Sequence, residues 1–492
     1  IFGSEWTPGV DGDPRVHVFL GEVPGVGGYY SSADEFPRSV NPYSNEKEIF
    51  YINVNNARPG ETYFDGILAH EFQHMIHWNN DRNEELWVNE GLSELAAKLN
   101  GFDVGGAATA FARDPDLPLT RWLDQTHPFY GSAFLFHDYF HQRFGTETVT
   151  ALVQEQADGP ASYNELLARW GLTFDELFAD WVVANLLDDP SLQEGRFDYE
   201  DDAAHRPTVA RTVQDYPLVD RGDVHQYGTD YIRFTAGAAE GTLEVELTGD
   251  STVALLPTEA HSGEWMLWGN RGDDGDTLVT RAFDLSNLAR ATLRFWTWYD
   301  LEEDYDYAYI AISTNGGEQW TILRTQDTTD SNPHGNSFGH AFTGRSGREG
   351  EQEPALWIQQ EVDLTPFVGQ PVLLRFEVIT DDALNYNGFV VDDISIPELG
   401  YDETFDEDLV GWEPTGFVRV DNLLPQHFIV QAVIEGSEGT RIVRLPFDDS
   451  QRAALAVEGF GAGVSQVTLL VSGATPFTSE KAGYNYTAIQ RE

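Results

Sequence analysis

Residues 70–94 read HEFQHMIHWNNDRNEELWVNEGLSE, and the reading of the whole chain turns on this stretch. His70 and His74 stand at i and i+4, so on a helix they share one face and can share one metal ion. Glu71, between them, can act as general base toward a water activated by that ion. Leu68, Phe72, Met75 and Ile76 recur at helical spacing and are expected to form the buried stripe, with both histidines on the opposite side. A second amphipathic helix follows. Val88, Leu92, Leu95 and Leu99 make its apolar stripe, Glu90 and Glu94 share its other face one turn apart, and Gly101 reads as its stop. Packing the two stripes together brings Glu90 to the histidines. Two His and one Glu are a common ligand set for catalytic zinc, with the fourth position left to water. Glu94 is expected to accept the spare ring N–H of His70 and fix its tautomer.

The HExxH pattern alone is short enough to occur by chance on a solvated helix face; it is the second segment, NEGLSE, that makes it a metal site. His77 is a rival ligand at i+7 from His70. That is about 10.5 Å along a straight helix, too far for one ion with ~2 Å bonds to collect all three histidines. His77 therefore reads as a pocket-wall or core residue. The longer pattern HExxHxxGxxH fails, because His77 stands where Gly is required and Asn80 where His is required.

The segments HEFQHMIHW and WVNEGLSELA resemble the gluzincin metallopeptidases, in particular the hyicolysin-like secreted bacterial ones. The resemblance implies a zincin-type domain with His70, His74 and Glu90 on one catalytic Zn2+ and Glu71 as acid/base. The His74-to-Glu90 gap is shorter than in thermolysin-like members. The resemblance also implies an edge strand near the active helix that binds substrate backbone by strand addition. The strands read at Arg15–Leu20 and Glu48–Val54 are the two candidates. Residues 101–190 read as mostly helical, like the lower lobe of a gluzincin. Gluzincins place a Tyr or His donor across the cleft to stabilise the oxyanion, and Tyr130 is the candidate here, with His127 as the alternative.

Composition sets the bounds. The 492 residues suffice for two to four domains, and at 41% hydrophobic content sizeable cores can form. No cysteine is present, which excludes disulfides and thiolate metal sites. With 82 acidic against 29 basic residues the formal charge is -53, a surface that repels nucleic acid and anionic lipid. No apolar run approaches the ~20 residues of a membrane span. Ile1 in place of Met reads as the start of a processed form or a fragment, so the missing signal segment carries no weight.

Residues 201–221 are polar and acidic and read as a linker. The tripeptide Arg221-Gly222-Asp223 is attributed to chance. From residue 222 helical periodicity gives way to short alternating strands separated by Gly, Asn and Asp turns, the pattern of β-sandwiches. Within 259–400, the stretches LWGNRGDDGD, FDLSNL, YAYIAISTNGGEQW and GFVVDDI resemble the jelly-roll, MAM-like modules of immune inhibitor A-type secreted metallopeptidases. The module offers candidate Ca2+ ligands at Asp273, Asp274 and Asp276 and at Asp392 and Asp393, with a third acidic group at Asp300, Glu302, Glu303, Asp304 and Asp306. The strands at 228–257 are too few for a sandwich of their own, and a second set runs from Phe428 to Ile489. Together they predict a discontinuous immunoglobulin-like domain of residues 222–258 and 402–492, with 259–401 inserted into it. Three consecutive β domains are the alternative.

The expectation is thus a multidomain α+β protein, a zinc metallopeptidase domain over 1–200 followed by β-sandwich domains. The expected function is that of a secreted, extracellular bacterial endopeptidase acting on protein or peptide, with surface or glycan contact through the β domains. The alternatives are an aminopeptidase of the same zinc class, against which stands the absence of a GxMEN-type motif, and a non-catalytic adhesin or carbohydrate-binding protein, against which stands the intact Glu71.

Overall fold

The computed structural model describes residues 1–102, 105–122, 126–200, 205–236, 240–347, 353–381 and 384–491. The chain divides into two units, one of Ile1–Leu255 with Leu424–Glu492 and one of Leu256–Leu423.

The first unit begins with a three-stranded sheet. The strand β3 (Ile49–Asn53) lies between β1 (His17–Gly21), parallel to it, and β2 (Gly28–Tyr30), antiparallel. Of the two strands expected to offer a free edge, the one at 48–54 is therefore interior, and β2 is the edge strand in contact with the helix that follows. Helix α1 (Thr62–Asn80) carries the first motif and ends at Asp81, whose backbone N–H bonds to His77 O. Its buried face differs from the expected stripe. Met75 and Ile76 are buried, but Phe72 is 36% exposed and only meets Phe50 edge-on, at 6.0 Å. Glu71, Gln73 and His77 take buried positions instead.

Helix α2 (Leu86–Leu99) buries Val88, Leu92 and Leu95 as its spacing predicts. At about 1.5–3 kcal/mol for each fully buried side chain, this stripe is the main force docking α2. It packs on α4 (His127–Phe144), as does α3 (Ala107–Arg113). α4 has Pro128 in its first turn, where the missing N–H costs nothing, and stops at Gly145 with φ 79°. The glycines that the sequence offers for close packing have a plain use. A Cβ on Gly91 would run into the His137 ring, and one on Gly131 into the carbonyl of Ala107. Helices α5 (Thr146–Val153), α6 (Pro160–Leu167) and α7 (Phe174–Leu187) complete the helical part; α7 opens on a capping box made by Thr173 and Glu176.

A nine-stranded β-structure packs against α7. One layer holds Gly439–Arg444, Phe428–Gly436, Val464–Gly473, Asp230–Thr235 and Arg211–Val213. The other holds Arg452–Phe460, Gly241–Gly249, Ala482–Arg491 and Leu218–Val224. The two layers are joined by one pairing, Phe460 with Val464. Strand alternation explains how the first layer is covered on both faces. Val430, Ala432, Ile434, Val467 and Leu469 enter the core between the layers, while Val433, Leu470 and Tyr231 enter the helical core. Tyr231 Oη donates to Val182 O at 2.8 Å and Gln431 Nε2 to Ala179 O at 2.7 Å, so the polar groups that this layer turns toward α7 find acceptors on its backbone. The expected linker differs. Residues 201–204 lie outside the described residues, but 211–213 and 218–221 are strand, because each finds a partner strand from elsewhere in the chain. Arg221-Gly222-Asp223 accordingly lies within an edge strand.

The second unit is a sandwich of two sheets. One holds Thr321–Ile322, Tyr307–Ser313, Pro371–Ile379, Asp276–Asp284 and Trp412–Thr415. The other holds Ile358–Asp363, Thr292–Asp300, Gly388–Ile396, Met266–Trp268 and Val418–Val420, with Tyr401–Glu403 on its margin. Residues 402–403, 412–414 and 418–420, expected in the discontinuous domain, pair with this sandwich, and Trp412 and Phe417 are buried in its core.

Gly131→Ala should destabilise the first unit by about 1–3 kcal/mol, the usual cost of overpacking against backbone. Gly106→Ala, where an added Cβ meets nothing within 4 Å, should change stability by less than about 0.5 kcal/mol. Denaturant midpoints of the two variants give the comparison.

Candidate metal centre

α1 and α2 cross so that His70, His74 and Glu90 converge. His70 Nε2 lies 3.0 Å from His74 Nε2 and 3.1 Å from Glu90 Oε2, and His74 Nε2 lies 3.5 Å from the same oxygen. The other ring nitrogens are held. His70 Nδ1 stands 3.3 Å from Glu94 Oε1. His74 Nδ1 stands 2.8 Å from Asn89 Oδ1 and 3.1 Å from Ser93 Oγ, whose own hydroxyl proton goes to Gln73 Oε1 at 2.5 Å. All the partners of the two Nδ1 atoms are acceptors, so each Nδ1 carries the proton and each Nε2 presents a lone pair.

Two lone pairs and a carboxylate oxygen facing one another at these separations repel unless positive charge lies among them. Glu90 Oε2 is buried and has no hydrogen-bond partner. Two imidazoles and one carboxylate oxygen are also the donor set that zinc takes. The titration behaviour agrees. Burial opposes protonation of both histidines, but the carboxylates of Glu90 and Glu94 beside His70 raise its pKa well above the usual value, and the charge of Glu90 raises that of His74. Burial opposes ionisation of Glu90, yet His74 and His70 hold its carboxyl far below the carboxylate range. The cluster draws in cations, protons if nothing else.

Glu71 is buried beside this group. Burial raises its carboxyl pKa, the charges of His70 and His74 lower it, and the backbone of Tyr30 on β2 supports its ionised form. Tyr130 packs edge-on against Trp122 at 4.6 Å, with its ring centroid 6.3 Å from that of His70. The charge of Glu90, then burial, then Glu71 and Glu94 push its hydroxyl pKa well up, which keeps it protonated. His127 is exposed at the first position of α4. His77 is fully buried and stands outside the group of His70, His74 and Glu90.

Spacing alone left out Asn89, Ser93 and Gln73. For the first two the signal was present within NEGLSE: Asn89 and Ser93 flank Glu90 at −1 and +3, the positions that reach back to the ring of His74.

The calcium candidates fare differently. The carboxylate of Asp392 accepts from the backbone N–H groups of His261, Ser262 and Asp393, and Asp393 accepts from Ser262 Oγ at 2.5 Å and lies at the same distance from His261 Nδ1. This pair latches a turn and is spent on it. Asp276 stands on a strand beside Glu377, and Asp273 accepts from Asn385 Nδ2 at 2.8 Å. Asp274 sits at φ 49°, exposed. Among the described residues, the group in this unit with metal-ligand spacing is Glu302, Asp306 and Asp381. Glu302 and Asp306 come from the third acidic group expected, whereas Asp273, Asp274, Asp276, Asp392 and Asp393 do not belong to it.

A family profile described as Immune inhibitor A-like, MAM domain matches residues 234–422. That span covers the second unit except its last residue, Leu423, and begins inside the strand Asp230–Thr235. The chain is 32% identical over 162 residues to the pre-pro-metalloprotease PrtV of Vibrio cholerae, covering 33% of this chain and 16% of that protein. It is 30% identical over 172 residues to Immune inhibitor A of Bacillus thuringiensis subsp. alesti, covering 35% and 22%. It is 23% identical over 166 residues to Bacillopeptidase F of Bacillus subtilis, covering 32% and 10%. The chain thus spans less than a quarter of the length of each of these curated relatives. Among the described residues no helix is long and apolar enough to cross a membrane.

If His70, His74 and Glu90 hold a divalent ion, Asn89→Ala and Ser93→Ala should each weaken its affinity by about 10- to 100-fold without unfolding the protein, because each removes an acceptor that fixes the His74 tautomer. Competition with a fluorescent chelator measures this.

Proposed function

We propose that this chain is a zinc-dependent endopeptidase of gluzincin type, secreted from a bacterium, with His70, His74 and Glu90 as zinc ligands. One observation carries the proposal: two Nε2 lone pairs and an unpartnered Glu90 oxygen converge beside the buried carboxyl of Glu71. The names of the partial relatives PrtV and Immune inhibitor A agree with it. Zinc supplies Lewis-acid polarisation of the scissile carbonyl and of the attacking water.

The rest falls to the chain's own residues. Glu71 takes the proton of the attacking water on a carboxylate oxygen and returns it to the leaving amine nitrogen. Its burial raises its proton affinity toward the range that such a shuttle needs. Tyr130, kept protonated by the surrounding carboxylates, donates to the oxygen on which negative charge develops. Glu94, Asn89 and Ser93 hold the ligand rings in place. β2, the edge strand on the Glu71 side, receives the substrate backbone by strand addition, and this fits an endopeptidase because an extended chain can pass along an edge in both directions. In the accessory module, Glu302 and Asp306 of the third acidic group take the calcium role together with Asp381; Asp306 is buried, and burial pushes its carboxyl up to about 8.

Glu71→Gln should keep zinc and fold and lose about 10²- to 10⁴-fold in kcat from proton transfer alone, measured on a quenched-fluorescence peptide with zinc content determined in parallel. Full activity would contradict the mechanism. Tyr130→Phe should lower kcat with little change in KM, because a transition-state donor contributes little to ground-state binding. A rise in KM alone would make Tyr130 a packing residue.

A further inference from the structure

At the turn between α1 and α2 lies a second group of potential ligands that the catalytic reading leaves unused. His77, in the last turn of α1, Asp81, at its C-cap, and Glu84, just before α2, each place one ligand atom within 4.8 Å of the others. All three side chains are buried. Neither ring nitrogen of His77 has a hydrogen-bond partner, and neither does Asp81 Oδ2. Asn89 approaches the His77 ring without making a bond of proper geometry. Glu84 Oε1 accepts from the backbone N–H groups of Glu85 and Gly159, while Oε2 has only a long contact with Ser162 Oγ, at 3.4 Å.

No cation offsets the two carboxylates. Neither is reached by a Lys or Arg among the described residues; the neighbouring Arg82 lies over the Trp78 ring. Burial pushes Asp81 up to about 6 and Glu84 to about 8. Buried polar atoms without partners and buried acids without a counter-charge are each costly, and here they point at one another. An ion centred in a triangle of this size is no more than about 2.8 Å from each atom, so bonds of ~2.1 Å need side-chain movements well under 1 Å.

We propose that His77, Asp81 and Glu84 form a second metal site, structural rather than catalytic, for a zinc-class divalent ion. The donor set selects the ion: one imidazole and two carboxylates suit zinc, whereas calcium takes six to eight oxygens. Its position gives it a purpose. It ties the end of α1 to the start of α2 and, through Glu84 and Gly159, to α6, and so fixes the angle at which Glu90 meets His70 and His74. The site stands on its own residues and does not require the catalytic reading.

Metal analysis of the full chain, saturated with zinc and freed of loose ions by gel filtration, tests the proposal. Two zinc ions per chain are expected for the wild type, one for His70→Ala and one for Asp81→Asn. A wild type holding one ion that only His70→Ala removes, or an Asp81→Asn variant holding two, overturns it. Two ions of which His70→Ala removes neither would instead contradict the catalytic assignment. Should Asp81→Asn fail to fold, wild-type crystals soaked in zinc decide: anomalous scattering at the zinc edge is expected among His77, Asp81 and Glu84, and its absence at saturating zinc overturns the site.

Discussion

Two imidazole lone pairs and one carboxylate oxygen, 3.0 to 3.5 Å apart in a buried pocket, set the constraint that governs the first unit. Such an arrangement holds only if a cation compensates it and the surrounding protein leaves the groups no other place to turn. Each feature nearby serves one of these ends. The Val88, Leu92 and Leu95 stripe and the missing side chain of Gly91 let α2 lie close enough to α4 to hold Glu90 in place. Glu94, Asn89 and Ser93 occupy the outer ring nitrogens, so both Nε2 atoms must face inward. Gln73 is buried on α1 to hold Ser93.

The helical part is itself held from behind. α7 is buried along most of its length because it lies between the aromatic core around Trp87, Phe136 and Tyr163 and a β-layer that carries large side chains on both faces. Strands from residues 211–249 and from residues 428–491 share that β-structure, so segments more than 200 residues apart in sequence must meet before it is complete. Contacts of such separation form slowly, and the alternating pattern that permits them is the same on both segments.

Much of the site was legible in the sequence because a helix converts spacing directly into direction: i and i+4 for the histidines, one turn for Glu90 and Glu94. What a lone helix cannot state is which neighbour covers which face. Phe72 has the right spacing for the core and lies outside it, because the adjoining sheet is small and β3 reaches only its edge. Residues 211–221 look like a linker by composition, and become strand because their partners lie on Asp230–Thr235 and Ala482–Arg491. Residues 402–423 follow the same rule in the second unit. Acidic runs guided the search for metal ligands at one of three places, the run from Asp300 to Asp306. Asp392 and Asp393 are consumed by a turn, whereas Asp381, distant in sequence, joins Glu302 and Asp306.

A zinc endopeptidase cuts peptide bonds within a chain and loses that activity when a chelator removes its ion. Denatured protein incubated with the purified full chain, with chelator and with zinc restored afterwards, gives fragments whose ends mass spectrometry reads. Internal cuts that vanish with chelator and return with zinc are the predicted result. Cleavage indifferent to chelator, or ladders running only from the N-terminus, would contradict a zinc endopeptidase.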